Sequence, residues 1–414
     1  MILGLLLYEP MVIKMPNAPI DLSHFEPTRA AARARLDAFL PYAGQHYEKH
    51  RNYDDQSNGA VTVSGLSPYL RYRVITEQEV IRAVLGAHGL NKAEKFIQEV
   101  VWRTYWKGWL EMRPSVWTDY LQALGQAKER LADDRALARR HEQAVSGHTD
   151  IPAFNEWAEQ LMHTGYLHNH ARMWVASIWI FTLKLPWELG AAWFLEHLLD
   201  GDPASNTLSW RWVAGLQTRG KTYQATQENI ERFTRGRHRP VGLAQTADAL
   251  DGPPAPKPQP LLAQSGLEQA LRIPSVCVVH HQDIAIAQDM REHPNVRQLL
   301  WWTPASEYQV SQKVSRFQEA LVVDAMHGTE QRISTLNSSV LASAVHDTDA
   351  AQVVITEPPV GSVCEDLNAP TPCVVPVVQV RRDYDNQLWP HATKGFFPFK
   401  EQILRPPSLI ETIV

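Results

Sequence analysis

The chain lacks most of the features that settle a protein's class at a glance. Its 414 residues include only three cysteines, Cys277, Cys364 and Cys373, all in the C-terminal third. No two of them form a CxxC pair, which argues against a zinc ribbon or a four-cysteine iron–sulfur cluster, and no metal site is expected. Free thiols in a chain of this size fit a reducing cytosol. No apolar run reaches the roughly 18 residues that would suggest a membrane span. The opening MILGLLLYEPMVIKMP has neither a basic leader nor a small-residue cleavage site. Residues 1–25 therefore read as a strand or docked terminal segment rather than a targeting signal. A cytoplasmic protein with no membrane partner is expected. Positive charge is not in excess either: 40 Lys and Arg stand against 45 Asp and Glu, a net charge of −5. That argues against a globally basic nucleic-acid binder and leaves a local basic groove open. No GxGxxG follows a strand pattern, so a dinucleotide-binding crossover is not supported.

Tryptophan, by contrast, is abundant. The chain has 14, and Trp174, Trp179, Trp187, Trp193, Trp210 and Trp212 all fall in the stretch from Met162 to Trp212. The same stretch embeds His168, Asn169, Arg172, Asp200, Asp202 and Asn206 in apolar sequence of helical period. A stretch serving only as core would use Leu and Ile with few charges. Buried charges must be paired or meet a ligand, so the cluster predicts a polar cofactor inside a helical domain.

Around this stretch the grammar is helical as far as residue 240. EPTRAAARARLDAFLPYAGQHYEKH reads as helix, with Pro27 suited to a first turn. Thr76-Glu77-Gln78-Glu79 spells a capping box. SGLSPYL is a polar turn that can hold a phosphate through hydroxyls and backbone amides, or simply join two helices. Lys92 to Glu111 places Trp102, Tyr105, Trp106 and Trp109 largely on one side, with Glu99 sharing a face with Trp102. After Trp212 come Arg219, Lys221, Arg232, Arg235, Arg237 and Arg239, interleaved with Tyr223 and Phe233. This segment suits a phosphate backbone or an ordinary exposed helix. DGPPAPKPQP marks a linker. Beyond it SVCVVHH, RQLLWW, AQVVITEPP and CVVPVVQV alternate with the helical stretch Ser306 to Met326, the pattern of a small α/β unit with a parallel or mixed sheet.

Several of these motifs, in this order, resemble the flavin-binding domain of the DNA photolyase/cryptochrome superfamily. TGYLHNHARM is similar to the family's TGWMHNRxRM, and DGDPASNTLSWRW to DGDxAxNxxxWxW. SGLSPYL is similar to SxLSPYL, EVVWRTYW to ExxWREF, and Tyr47 with Arg51 to a Tyr-x-x-x-Arg pair before that turn. The resemblance implies a multidomain chain. Residues 26–240 would form an all-α FAD-binding photolyase-like domain, and residues 241–272 a Pro-rich linker. Residues 273–414 would form a smaller α/β domain, either a permuted or reduced antenna-type unit or an unrelated interaction module. The resemblance also implies roles at the cofactor. Tyr47, Ser64, Leu66 and Ser67 would hold phosphates and ribitol, with Trp102, Arg103, His168 and Asn169 beside the cofactor. Arg172 and Asp200 would pair next to the isoalloxazine, with Asp202 at its polar edge and Asn206 beside flavin N5.

Glu99, Trp102, Met173 and Trp212 match the positions where the family contacts a pyrimidine dimer flipped from DNA. Trp210 and Trp187 match the first two members of its electron-hopping chain; no Trp aligns with the third, for which Trp179, Trp193 or Trp117 substitutes, or else the route ends early. Three departures accompany the match: Tyr166 replaces the motif Trp, His170 replaces a DNA-facing Arg, and the α/β segment follows the helical one. An antenna chromophore is left open. The expected activity is FAD-dependent, light-driven repair of cyclobutane pyrimidine dimers in UV-damaged DNA. The alternative is a cryptochrome-like blue-light photoreceptor acting on a signalling protein without repair.

Overall fold

In the computed structural model, residues 20–55, 61–304, 306–326, 331–333, 336, 338–362, 375–405 and 408–414 are described. Residues 1–19 of the N-terminal segment, the 56–59 part of the loop before SGLSPYL, Cys364 and Cys373 lie outside them.

Eleven of the described helices occupy the first 240 residues, and local chemistry explains where several begin. Thr28 accepts a hydrogen bond from the Ala31 amide to open α1 (Arg29–Phe39), which leads to α2 (Gln45–His50) and α3 (Ser67–Arg71). The capping box forms as expected: Thr76 accepts from the Glu79 amide while the Glu79 carboxylate accepts from the Thr76 amide, opening α4 (Glu77–Glu111). Such a cap contributes about 1 kcal/mol. Helix α4 is longer than the pattern suggested because it continues, with a break at Gly89, into the aromatic run. Helices α5 (Ser115–Asp133), α6 (Arg135–Val145) and α7 (Pro152–Thr164) follow. His168 caps α8 (Asn169–Ser177), and α9 (Trp187–His197) precedes α10 (Pro203–Val213), which Asp202 caps. Helix α11 (Gln227–Phe233) is the last of this part.

The Pro-rich stretch is laid against the helices, with the Leu250 amide donating to the Ala214 carbonyl and the Gln259 amide to that of Met112. It ends in α12 (Leu267–Ala270). The α/β unit then runs β1 (Ser275–His280), α13 (Ile286–Arg291), β2 (Val296–Trp302), α14 (Gln312–Ala325), β3 (Gln331–Ile333), α15 (Ser338–Thr348), β4 (Gln352–Thr356) and β5 (Val377–Val380). The sheet is purely parallel, in the order β3-β2-β1-β4-β5 of a doubly wound fold. Strand alternation sends Val276, Val278, Leu300, Val353 and Ile355 to one face, where they pack with Leu341 and Val345 of α15. Cys277, Val279, Trp301 and Val354 face the other way and belong to the same apolar cluster as the helical core. One core is therefore continuous across both parts of the chain.

Charges reinforce that junction. Arg73 pairs with Glu77, with Asp283 after β1 and with Asp385; Arg103 also reaches Glu77, and Arg382 reaches Asp283. Three guanidiniums thus neutralise three carboxylates, which makes their burial tolerable. Beyond β5 the chain leaves the sheet through α16 (Asp383–Leu388), α17 (Phe396–Leu404) and α18 (Leu409–Ile413). Helices α16 and α17 lie against α4 rather than the sheet. Among the described residues no helix is long and apolar enough to cross a membrane, and no group of three or more His, Cys, Asp or Glu could hold a metal.

Candidate flavin site

Helices α2, α3, α4, α8 and α10 surround a cavity of about 490 Å³, within the range of small-molecule and cofactor sites. The helical period fixes who faces it. Glu99, Trp102, Arg103 and Trp106 recur at three and four along α4, and Asp202, Asn206, Trp210 and Val213 do so along α10. Asn169, Arg172 and Met173 come from α8, Tyr47 from α2 and Ser67 from the start of α3. Asp200 and Trp212 complete the expected residues on the wall.

Ser64, Leu66, His168 and Trp187, also expected, are not on the wall. Ser64 Oγ instead accepts from the Leu66 amide at 3.3 Å and shapes the turn before α3. His168 Nδ1 accepts from the His170 amide at 3.1 Å as a helix cap, and burial pushes its imidazole down to about 4.

The wall is rich in charge. Arg172 Nη2 meets Asp200 Oδ2 at 2.8 Å, while Arg172 Nε donates to the Leu167 carbonyl at 2.9 Å. Asp202 stands 3.7 Å from Arg71 and 3.8 Å from Lys107. Burial alone would raise its carboxyl, but Lys107, Arg71 and Arg103 outweigh burial and hold it well below the usual range. Asn206 Nδ2 donates to the Ala191 carbonyl at 2.9 Å, which fixes the amide plane. At the far side Arg51 Nη1 donates to the Glu99 carboxylate. Burial still raises the Glu99 carboxyl, and Arg51 offsets only part of that. Glu99 sits among many protein atoms yet remains open to the cavity, so both the raised pKa and its partial exposure hold.

Sequence reasoning missed Arg71 and Lys107. Arg71 is almost wholly buried; it donates to the Gly201 carbonyl at 2.6 Å and to Gln282 and Tyr308 of the α/β unit. Its only signal was its place immediately after the SGLSPYL turn.

A flavin fits this wall on a direct observation. Asp200 Oδ1, Arg103 Nε, Ser205 Oγ and Trp210 Nε1 are buried on lining residues without a hydrogen-bond partner among the described residues. Leaving such groups unsatisfied costs roughly 1–3 kcal/mol each, so a polar ligand is the expected remedy. Residues 96–236 match the family described as the FAD binding domain of DNA photolyase. Over that stretch the chain is similar to the flavin-binding domain of DNA photolyases. It is 36% identical over 191 residues to the deoxyribodipyrimidine photo-lyase of Streptomyces griseus, which covers 45% of this chain and 39% of that protein. It is 32% identical over 227 residues to that of Synechococcus sp., with 50% and 45% covered. The crystal structure of a bacterial class III photolyase from Agrobacterium tumefaciens is 28% identical, with a TM-score of 0.40 over 50% of this chain and 42% of that one. The chain thus spans less than half the length of these photolyase relatives. FAD is the cofactor of this domain.

One departure from the photolyase pattern, His170, has a structural counterpart. His170 Nδ1 donates to the Asn52 carbonyl at 2.9 Å, its Nε2 accepts from the Tyr223 hydroxyl at 3.2 Å, and its ring stacks on Trp174. Burial keeps it neutral by lowering its pKa. The basic segment is also partly spent internally: Arg235 pairs with Asp55, Arg237 with Asp54 and Arg239 with Glu231.

Proposed function

We propose that the chain is a FAD-dependent, light-driven enzyme repairing cyclobutane pyrimidine dimers in UV-damaged DNA. The observation that carries this reading is the convergence of Glu99, Trp102, Met173 and Trp212 on the same cavity wall as Arg172, Asp200, Asp202 and Asn206. A site serving only flavin photochemistry has no need of an acid and flat or soft apolar groups beside the cofactor. Reduced FAD, when bound, supplies a light-driven electron that is returned once the cyclobutane bonds have broken. Arg172, Asp200, Asp202 and Asn206 hold the ring, and Ser67 with Tyr47 holds the phosphate and ribitol end. Glu99 hydrogen-bonds the flipped base, with Arg51 fixing its carboxylate, while Trp102, Trp212 and Met173 sandwich the dimer and exclude water.

The deciding assay uses illuminated, reduced protein with a dimer-containing oligonucleotide, single- and double-stranded. Restored pyrimidines support repair. Intact dimers with flavin bound favour the second reading, a blue-light photoreceptor acting on a signalling protein. The internal engagement of His170 and of Arg235 and Arg237 supports that alternative, since each removes a contact otherwise available to DNA phosphates.

A further inference from the structure

The segment after β5 carries an aromatic ring to the edge of the flavin cavity, and its docking on α4 is specified contact by contact. Gly108 lies against Trp389: a Cβ there would come within 2.9 Å of Trp389 backbone and ring, so any larger residue would push the segment away. Tyr105 donates its hydroxyl to the Lys394 carbonyl at 2.8 Å, and Arg113 Nη2 donates to the Thr393 carbonyl at 2.7 Å. Lys400 pairs with Glu94 at 2.6 Å. Held from both ends, α17 lays Phe396 on Trp102, the ring centroids 3.5 Å apart and the planes 8° from parallel. Phe396 is 4% exposed. Trp102 is on the cavity wall and Phe396 is not, so Phe396 covers part of the indole that the cavity does not use.

We infer that Phe396 is a positioning residue: by stacking on Trp102 it holds the indole in the orientation it presents to the cavity. A ring left unbacked can explore other rotamers, and whatever binds must then select the productive one. The inference deepens the reading of Trp102 as a wall for cofactor and flipped base. It also gives the C-terminal segment, which lies outside the matched family domain, a part in the site.

The test compares FAD-loaded, full-length Trp102→Ala, Phe396→Ala, the double variant and Phe396→Tyr. The readouts are the rate of FAD release, followed by free-flavin fluorescence, and affinity for a dimer-containing oligonucleotide. A stacked aromatic pair corresponds to an effect of about three- to tenfold. Phe396→Ala should change at least one readout by that factor, add nothing to Trp102→Ala, and be rescued by Phe396→Tyr. Where Phe396→Ala folds poorly, Phe396→Leu, which keeps apolar bulk without a flat ring, takes its place and should show the same change. Additive effects of the two alanines, or no change in either readout, would overturn the assignment. Wild-type protein that ignores the dimer would sink the repair reading instead, and FAD release would still judge Phe396.

Discussion

Arg172 Nη2 and Asp200 Oδ2 meet 2.8 Å apart on the cavity wall, and the second Asp200 oxygen is buried with no hydrogen-bond partner among the described residues. The pair is unequal, because the Arg172 side chain keeps some solvent contact while the Asp200 side chain is 5% exposed. Arg172→Ala would strand a buried carboxylate, which for a fully buried pair costs roughly 3–5 kcal/mol. The partial exposure of Arg172 places the expected loss below that range. Asp200→Asn strands only a cation that can reach water. Thermal melts without FAD should therefore show Arg172→Ala as the less stable variant, while both lose flavin on gel filtration. A less stable Asp200→Asn would reverse the argument.

Gly190 sets two expectations against each other. In the interior of α9, Gly→Ala should gain about 1 kcal/mol of helix propensity. A Cβ there, however, would lie 2.4 Å from Cη2 of Trp210 and 2.9 Å from Cε2 of Trp179. Overpacking of that kind costs roughly 1–3 kcal/mol. Packing should win, so Gly190→Ala is expected to melt below wild type. A variant melting higher would show that the two indoles can yield.

The ring contacts of Trp210 lead to Trp179, whereas Trp187, the next member its motif implied, pairs with Tyr120. The ring neighbours of Trp210 are Phe194 and Trp179, the latter at 6.2 Å, and Trp179 stacks on Trp193 at 5.7 Å. Trp187 lies in ring contact with Tyr120 at 5.5 Å, and Tyr120 with Trp117 at 5.2 Å. If Trp210 feeds both branches, Trp210→Phe should slow flavin photoreduction most. Trp187→Phe and Trp179→Phe should each slow it partly, and their combination should approach Trp210→Phe. Transient absorption of illuminated, FAD-loaded protein is the measurement; unchanged photoreduction in Trp210→Phe removes it from the route.

What could be read in advance depended on how far the physical cause lay from the residue. The Thr76–Glu79 box and the face that Glu99 and Trp102 share on α4 arise within a few turns, so spacing alone exposed them, whereas Asp202 and Asn206 were placed at the cofactor only through the family resemblance. Arg71 was invisible because its partners, Gly201 and Gln282, come from remote parts of the chain. Phe396 was unreadable for the same reason, as only the folded α17 brings it to Trp102. Strand β3, three residues long, is too short for alternation to register, whereas the hydrophobic runs of β1, β2 and β4 announced themselves.

Glu111 ties stability to pH through a group that the proposed chemistry does not use. Burial pushes its carboxyl up from the ordinary 4.5 to about 7, although Lys107 and a hydrogen bond from the Val360 amide pull the other way. An acid whose folded pKa exceeds its unfolded one holds its proton more tightly when folded. Between about pH 4.5 and 7 the unfolded chain releases that proton first, so stability falls as pH rises through this window and the full penalty applies above it. The shift corresponds to at most about 3 kcal/mol. Glu111→Gln keeps an acceptor for Val360 and cannot ionise. Its melting temperature should therefore exceed the wild-type value by a few degrees at pH 8.5, and the difference should vanish near pH 4.5. An advantage for Glu111→Gln that does not depend on pH would mean that packing, not proton linkage, separates the two proteins.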